Sequence, residues 1–171
     1  MMLLREPQHI IALPRWSPDG QRWAYIRMVD NEVPFTVGEL WVMDDGGARR
    51  LSEQADAGHG YGPAWSPNGK HIAFVVRENA ADRDADMAAA RLESNIYLAE
   101  ATTGRVRAIT RFERALVEEP VWTVDGRQLV FAAGSGGGID VWQVEVSGGT
   151  ARQATRDAST RLVTWLPGAG R

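Results

Sequence analysis

The chain of 171 residues contains no cysteine, which excludes disulfide bonds and thiolate metal sites. It also lacks any apolar run approaching the roughly 18 residues that a membrane-spanning helix requires. Only three histidines are present, and none belongs to a His-x-x-x-His or His-x-Glu metal-binding pattern. The net charge is −3 and the arginines are scattered, which argues against a nucleic-acid-binding surface.

The first residues of the chain do not indicate a cellular compartment. Residues 1–14 show no basic start followed by a long apolar run, so they do not have the pattern of a secretory signal peptide. The sequence therefore leaves the location unknown.

One cassette occurs three times and dominates the sequence. It has the sequence PRWSPDGQRWAY at residues 14–25, PAWSPNGKHIAF at 63–74 and PVWTVDGRQLVF at 120–131. Every copy keeps the order Pro-x-Trp, then a glycine, then an aromatic residue at fixed spacing. A fixed pattern that recurs in this way is typical of a repeat architecture.

Each cassette predicts a β-hairpin. Proline, aspartate or asparagine, and glycine follow the tryptophan, and these residues favour a tight turn. The β-branched and aromatic residues after the turn favour a strand. A third strand is predicted at 39–44, 95–100 and 140–145, and a glycine turn and a short fourth strand follow each.

The predicted fold class is all-β, a partial β-propeller built from four-stranded antiparallel blades. We expect a single half-propeller domain over residues 1–171, with the first strand of a fourth blade near Trp165. The predicted blades cover approximately residues 11–52, 61–110 and 118–155, and the extra strand covers 161–165.

The cassette resembles the TolB-type, WD-like β-propeller repeat, which also occurs in the propellers of prolyl-oligopeptidase-type peptidases. The resemblance runs from about Ile11 to Trp165 and departs from the pattern at Thr123-Val124, where Ser-Pro is expected. It implies a blade type and a ring of six blades, and it allows a periplasmic or extracellular location. It does not imply one function, because such blades serve unrelated tasks.

Three blades are too few for a ring, since propellers close with four to eight. Two explanations compete. The chain is a fragment of a longer propeller, or two chains join head to tail and close a six-bladed ring. We favour the second explanation, a homodimer, because an isolated half would expose large apolar faces.

The leading functional prediction is a non-catalytic module that binds a protein or peptide. One alternative is the gating portion of a prolyl-oligopeptidase-type peptidase whose catalytic domain lies elsewhere. The other alternative is a purely structural, self-assembling half-propeller. Autonomous catalysis is not expected, since Ser135 lacks the nucleophile-elbow pattern: Ala133 stands where that pattern needs glycine.

An acidic segment in the second unit matches part of a calcium loop. Asp82, Asp84 and Asp86 alternate, and Glu93 follows at the spacing of the last ligand. The position of the sharp turn holds Met87 instead of glycine, and the segment is rich in alanine, which favours a helix. We therefore predict an insertion without metal and expect no cofactor, with calcium as the minor alternative.

The repeated tryptophans could form a ligand-stacking set or pack between blades. Their fixed phase favours packing, with the glycines of the cassette as turn residues. These structural positions are Trp16, Trp65, Trp122, Gly20, Gly69 and Gly126.

Partner contacts are predicted on the loops 53–62 and 111–119, which lie between blades; the alternative is an ordinary solvated rim. The candidate contact residues are His59, Tyr61, Phe112 and Arg114.

Overall fold

A computed structural model describes residues 8–30, 37–56, 61–82, 91, 93–134 and 138–157. Within these residues the chain forms three four-stranded antiparallel sheets, which are three blades of a partial β-propeller. The strand predicted around Trp165 lies outside the described residues. The described residues include no helix that is long and apolar enough to cross a membrane.

Each blade is one meander, in which successive strands are neighbours in the sheet. Blade 1 consists of β1 (His9–Trp16), β2 (Trp23–Val29), β3 (Val37–Asp44) and β4 (Gly47–Asp56). Blade 2 consists of β5 (Ala64–Trp65), β6 (His71–Arg77), β7 (Ser94–Glu100) and β8 (Val106–Ala108). Blade 3 consists of β9 (Leu116–Trp122), β10 (Gln128–Gly134), β11 (Ile139–Glu145) and β12 (Arg152–Gln153).

The three blades share one strand register. The cassette tryptophan pairs in each blade with a residue near the start of the second strand, and the pairs are Trp16–Trp23, Trp65–Ile72 and Trp122–Leu129. Because a shift by one residue would exchange the two faces of a strand, the shared register places equivalent side chains on equivalent faces.

The turn after β1 is held by its own side chains. The Ser17 hydroxyl donates to the Asp19 carboxylate, and the backbone N–H of Gln21 donates to the same oxygen at 3.1 Å. Gly20 has a φ of 68°, a left-handed conformation that glycine adopts without steric cost.

The same turn recurs in the other blades with one informative substitution. In blade 2 the amide oxygen of Asn68 accepts from the Ser66 hydroxyl at 2.8 Å and from the Lys70 N–H at 3.0 Å. In blade 3 Asp125 accepts from the Thr123 hydroxyl at 2.6 Å. An uncharged amide thus performs the role that a carboxylate performs in blades 1 and 3.

We predict that the turns of blades 1 and 3 weaken in acid. Hydrogen bonds from Ser17 and Thr123 lower the pKa of Asp19 and Asp125 below the ordinary 3.8. The stabilisation that these hydrogen bonds provide is therefore fully present above the ordinary pKa of 3.8. It is lost as pH falls through the lowered pKa of the folded state. Urea midpoints from about pH 5 to about pH 2 measure this loss.

The control for this prediction copies blade 2. The double variant Asp19→Asn, Asp125→Asn should keep all three turns and show a flatter dependence of the urea midpoint on pH. A double variant with the wild-type pH dependence would contradict the assignment.

The apolar core lies between the blades. One cluster joins blade 1 to blade 2 and includes Ile26, Leu40, Ile72 and Phe74, all at most 1% exposed. A second cluster joins blade 2 to blade 3 and consists mainly of Ala73, Ile96, Leu98, Val117, Leu129 and Phe131. Ile72 and Phe74 of β6 belong to the first cluster, and Ala73 between them belongs to the second. The blade 2 sheet is therefore apolar on both faces and needs a neighbouring blade on each side.

A buried ion pair also connects blades 1 and 2. The Arg77 guanidinium lies 3.3 Å from the Asp56 carboxylate, and both side chains are at most 2% exposed. Asp56 ends β4 and Arg77 ends β6, so the pair fixes the end of one blade against the next.

We predict that Asp56→Ala lowers the free energy of unfolding by about 3 to 5 kcal/mol, because it removes a carboxylate from a buried guanidinium. Urea denaturation at neutral pH measures the loss. The matched control is Glu53→Ala, which removes a 76% exposed carboxylate from Arg50 and should cost less than about 1 kcal/mol. Equal losses for the two variants would contradict a special role for the buried pair.

Candidate functional site

The cassette tryptophans link neighbouring blades by a repeated hydrogen bond. The indole N–H of Trp65 donates to the carbonyl of Arg15 in blade 1 at 2.9 Å. The indole N–H of Trp122 donates in the same way to the carbonyl of Ala64 in blade 2, also at 2.9 Å. Trp16 has no preceding blade within the described residues and is 67% exposed.

A groove opens where the first strands converge. The first strands of neighbouring blades contact one another, β1 with β5 and β5 with β9. The groove has a volume of about 680 Å³ and receives equivalent positions from all three blades. We call it the first-strand groove; its main lining residues are Arg15, Trp16, Pro63, Trp65, Glu119 and Pro120.

The lining of the first-strand groove is mainly apolar and includes two opposite charges. Prolyl and indole rings form much of its wall, while Arg15 comes from blade 1 and Glu119 from blade 3. Neither of these two side chains forms an ion pair with another described residue. The groove therefore offers a cation and an anion from opposite blades to a ligand.

The absence of a side chain at Gly62 leaves the space that the Arg15 guanidinium occupies. A β-carbon at Gly62 would lie 2.9 Å from a guanidinium nitrogen of Arg15, closer than ordinary contact distances. Any larger residue at this position would displace the guanidinium. The corresponding position in blade 3 is Glu119, three residues before the cassette tryptophan, as Gly62 is in blade 2.

The backbone of two first strands is strained at the groove. Leu13 and Glu119 have φ values of 55° and 43°, which residues with a β-carbon rarely adopt, and each precedes a cassette proline. The strand register shifts beside both positions, so each marks a β-bulge. Bulges and strained residues concentrate near functional sites, where they direct side chains. These bulges were not predicted from the sequence, although the proline that interrupts each strand is a signal.

We predict that Glu119→Gly leaves the free energy of unfolding unchanged or raises it by up to about 1 kcal/mol, because glycine relieves the left-handed strain. Thermal and urea denaturation measure the change. The neighbouring control, Glu118→Gly, should be destabilising, since Glu118 accepts a hydrogen bond from Tyr61 and has no positive φ. Similar destabilisation by both variants would contradict the strain at Glu119.

The predicted contact residues lie in different surroundings. Tyr61 is 4% exposed, its hydroxyl donates to Glu118 at 2.9 Å, and burial raises its pKa above the usual range. Phe112 packs edge-on against Phe131 and Trp142. Arg114 is exposed, and His59 lies outside the described residues. Tyr61 and Phe112 thus contribute to internal packing, and partner contact through these loops stays a prediction.

The acidic segment of blade 2 is described only at its ends. The Asp82 carboxylate lies 2.9 Å from the Arg91 guanidinium, and the backbone N–H of Glu93 donates to Asn79. Asp84 and Asp86 lie outside the described residues. Calcium binding at this segment therefore stays a prediction.

Comparison with known proteins agrees with the blade geometry. The TolB beta propeller domain family matches residues 1–167. The chain belongs to this family. The solved TolB of Acinetobacter baumannii shares 19% identity with this family member, and the superposition has a TM-score of 0.63. The match covers 88% of this chain and 33% of that protein, and at this identity it shows the fold alone.

Two curated relatives of this TolB-family chain are peptidases. The uncharacterized peptidase YuxL of Bacillus subtilis is 25% identical over 129 residues, and dipeptidyl-peptidase 5 of Porphyromonas gingivalis is 23% identical over 146 residues. These matches cover 75% and 82% of this chain but only 18% and 20% of the two relatives. The chain thus spans about a fifth of the length of the curated relatives it matches.

Proposed function

We propose that this chain is a non-catalytic propeller module that binds an extended peptide segment in the first-strand groove. The observation that carries the proposal is the groove itself, about 680 Å³ in volume and lined by equivalent positions of three blades. A volume of this size lies within the range of ordinary ligand pockets.

The chemistry of the lining supports a peptide. Prolyl and indole faces favour contact with apolar side chains and proline rings. Arg15 and Glu119 lie on opposite blades and form no ion pair with other described residues, so each is available for a charge on the ligand. A segment with an acidic group at one end and a basic group at the other would match both.

The test uses a defined probe. A blocked pentapeptide with aspartate at one end, lysine at the other, and proline and leucine between them is titrated into the chain by calorimetry. The proposal predicts saturable binding, and binding about tenfold weaker for Arg15→Glu, because this variant places two anions in the groove. The double variant Arg15→Glu, Glu119→Arg restores both charges in exchanged positions and should recover the affinity.

Arg114→Glu provides the matched control. Arg114 is exposed on the predicted contact loop 111–119 and does not line the groove. The proposal predicts that this variant binds the peptide like the wild type. If Arg114→Glu abolishes binding while Arg15→Glu has no effect, the contact loop is the site and the groove is not. No binding of the probe would favour the purely structural alternative.

A second candidate function is the propeller portion of a peptidase of the prolyl-oligopeptidase type. Its support is that two curated relatives are peptidases and that the chain corresponds to about a fifth of each of them. Sequencing the gene around this segment tests the candidate. An α/β-hydrolase segment in the same polypeptide supports a peptidase propeller, and a hydrolase-free polypeptide contradicts it.

A further inference from the structure

The large exposed apolar side chains of the described residues all lie on the two end blades. Ile10, Trp16 and Val29 on blade 1 are 42%, 67% and 50% exposed, and Val124 on blade 3 is 75% exposed. Blade 2, which has a neighbour on both sides, has no member of this set among its described residues. Single exposed apolar residues are ordinary on a protein surface. Trp16 and Val124 differ because their counterparts in the other blades contact a neighbouring blade.

The first contact repeated at both blade interfaces is the indole hydrogen bond. The acceptor is a carbonyl of the preceding blade, and it belongs to the residue directly before that blade's own cassette tryptophan. On the open side of blade 1, Trp16 holds this donor. On the open side of blade 3, Val121 carries the matching carbonyl, since Val121 pairs with Val130 in the register in which Ala64 pairs with Ala73.

The second repeated contact runs in the opposite direction. A fourth-strand arginine donates to the carbonyl just after the third strand of the next blade, and the pairs are Arg49 with Ala101 and Arg107 with Val146, each at 2.6 Å. Arg152 holds this position in blade 3, because it pairs across its sheet with Gln143 as Arg107 pairs with Leu98. Asp45 carries the corresponding carbonyl in blade 1.

The third repeated contact joins the cassette turns. Pro18 packs on Gly69, where a β-carbon would lie 3.8 Å from the proline ring, and Pro67 packs on Gly126, where the distance would be 3.5 Å. On the open sides the corresponding residues are Val124 of blade 3 and Gly20 of blade 1. Gly20 has open space within 4 Å of its β-carbon position.

We propose that two copies of this chain join head to tail, with blade 3 of each copy against blade 1 of the other, and close a six-bladed ring. All three repeated contacts have one half on the open side of blade 1 and the other half on the open side of blade 3. A second copy therefore supplies the partner of each donor, carbonyl and turn residue on the two open sides. Two identical interfaces then close the ring. Trp16 and Val124 also line the first-strand groove, but the three repeated contacts that favour closure require no bound peptide.

The first measurement is the mass of the full chain in solution by size-exclusion chromatography with multi-angle light scattering. The proposal predicts twice the chain mass of 18.8 kDa. A stable monomer, or any other multiple of the chain mass, overturns the two-chain ring.

Two variants then test the interface from its two sides. Trp16→Ala removes the indole on blade 1, and Val124→Asp places a carboxylate on blade 3. Each should weaken association about tenfold per interface, and hence about a hundredfold for a ring with two interfaces. Because both side chains are exposed, the chains should fold, which circular dichroism verifies. The matched control Lys70→Asp, in the corresponding turn of blade 2, should remain a dimer.

The two variants also distinguish head-to-tail pairing from pairing of like edges. In a head-to-tail ring each interface contains Trp16 of one copy and Val124 of the other, so both variants should dissociate. Pairing of two blade 1 edges would leave Val124→Asp dimeric, and pairing of two blade 3 edges would leave Trp16→Ala dimeric. Either variant dimerising like the wild type overturns the proposal.

Discussion

The hydrogen bond from a cassette indole to the preceding blade is the contact on which the arrangement of blades depends. It places the Trp122 side chain, 7% exposed, against Ala64, and the apolar faces of blades 2 and 3 then pack on either side of it. A single blade could not bury both of its apolar faces. Stability in such an array comes from neighbouring units rather than from the unit alone.

The first-strand groove follows from the same repetition. Positions that are constant in the cassette, the proline and the tryptophan, form its wall. Positions that vary between blades supply its charges. Arg15 is charged where the other blades have alanine and valine, and Glu119 is charged where blade 2 has Gly62. The constant residues thus form the scaffold, and the variable residues distinguish one part of the groove from another.

The open sides of the end blades expose to solvent residues whose counterparts contact a neighbouring blade. Trp16 and Trp122 occupy the same repeat position, yet their exposed fractions are 67% and 7%. Trp122 packs against a preceding blade, whereas Trp16 has no preceding blade within the described residues. The proposed ring and a longer propeller would bury the same surface, because either supplies a blade with the same three contacts.

The sequence by itself determined the blade type, the three repeats and their turns, because these depend on residues close together in the chain. Pro-Asp-Gly and Pro-Asn-Gly predict turns through local backbone preferences, and alternating apolar residues predict strands. Only the tertiary structure decided which tryptophan is buried, that Tyr61 is internal, and that Arg15 and Glu119 line one groove. These features depend on residues far apart in sequence and on bulges that redirect the chain, and local patterns do not encode such distances.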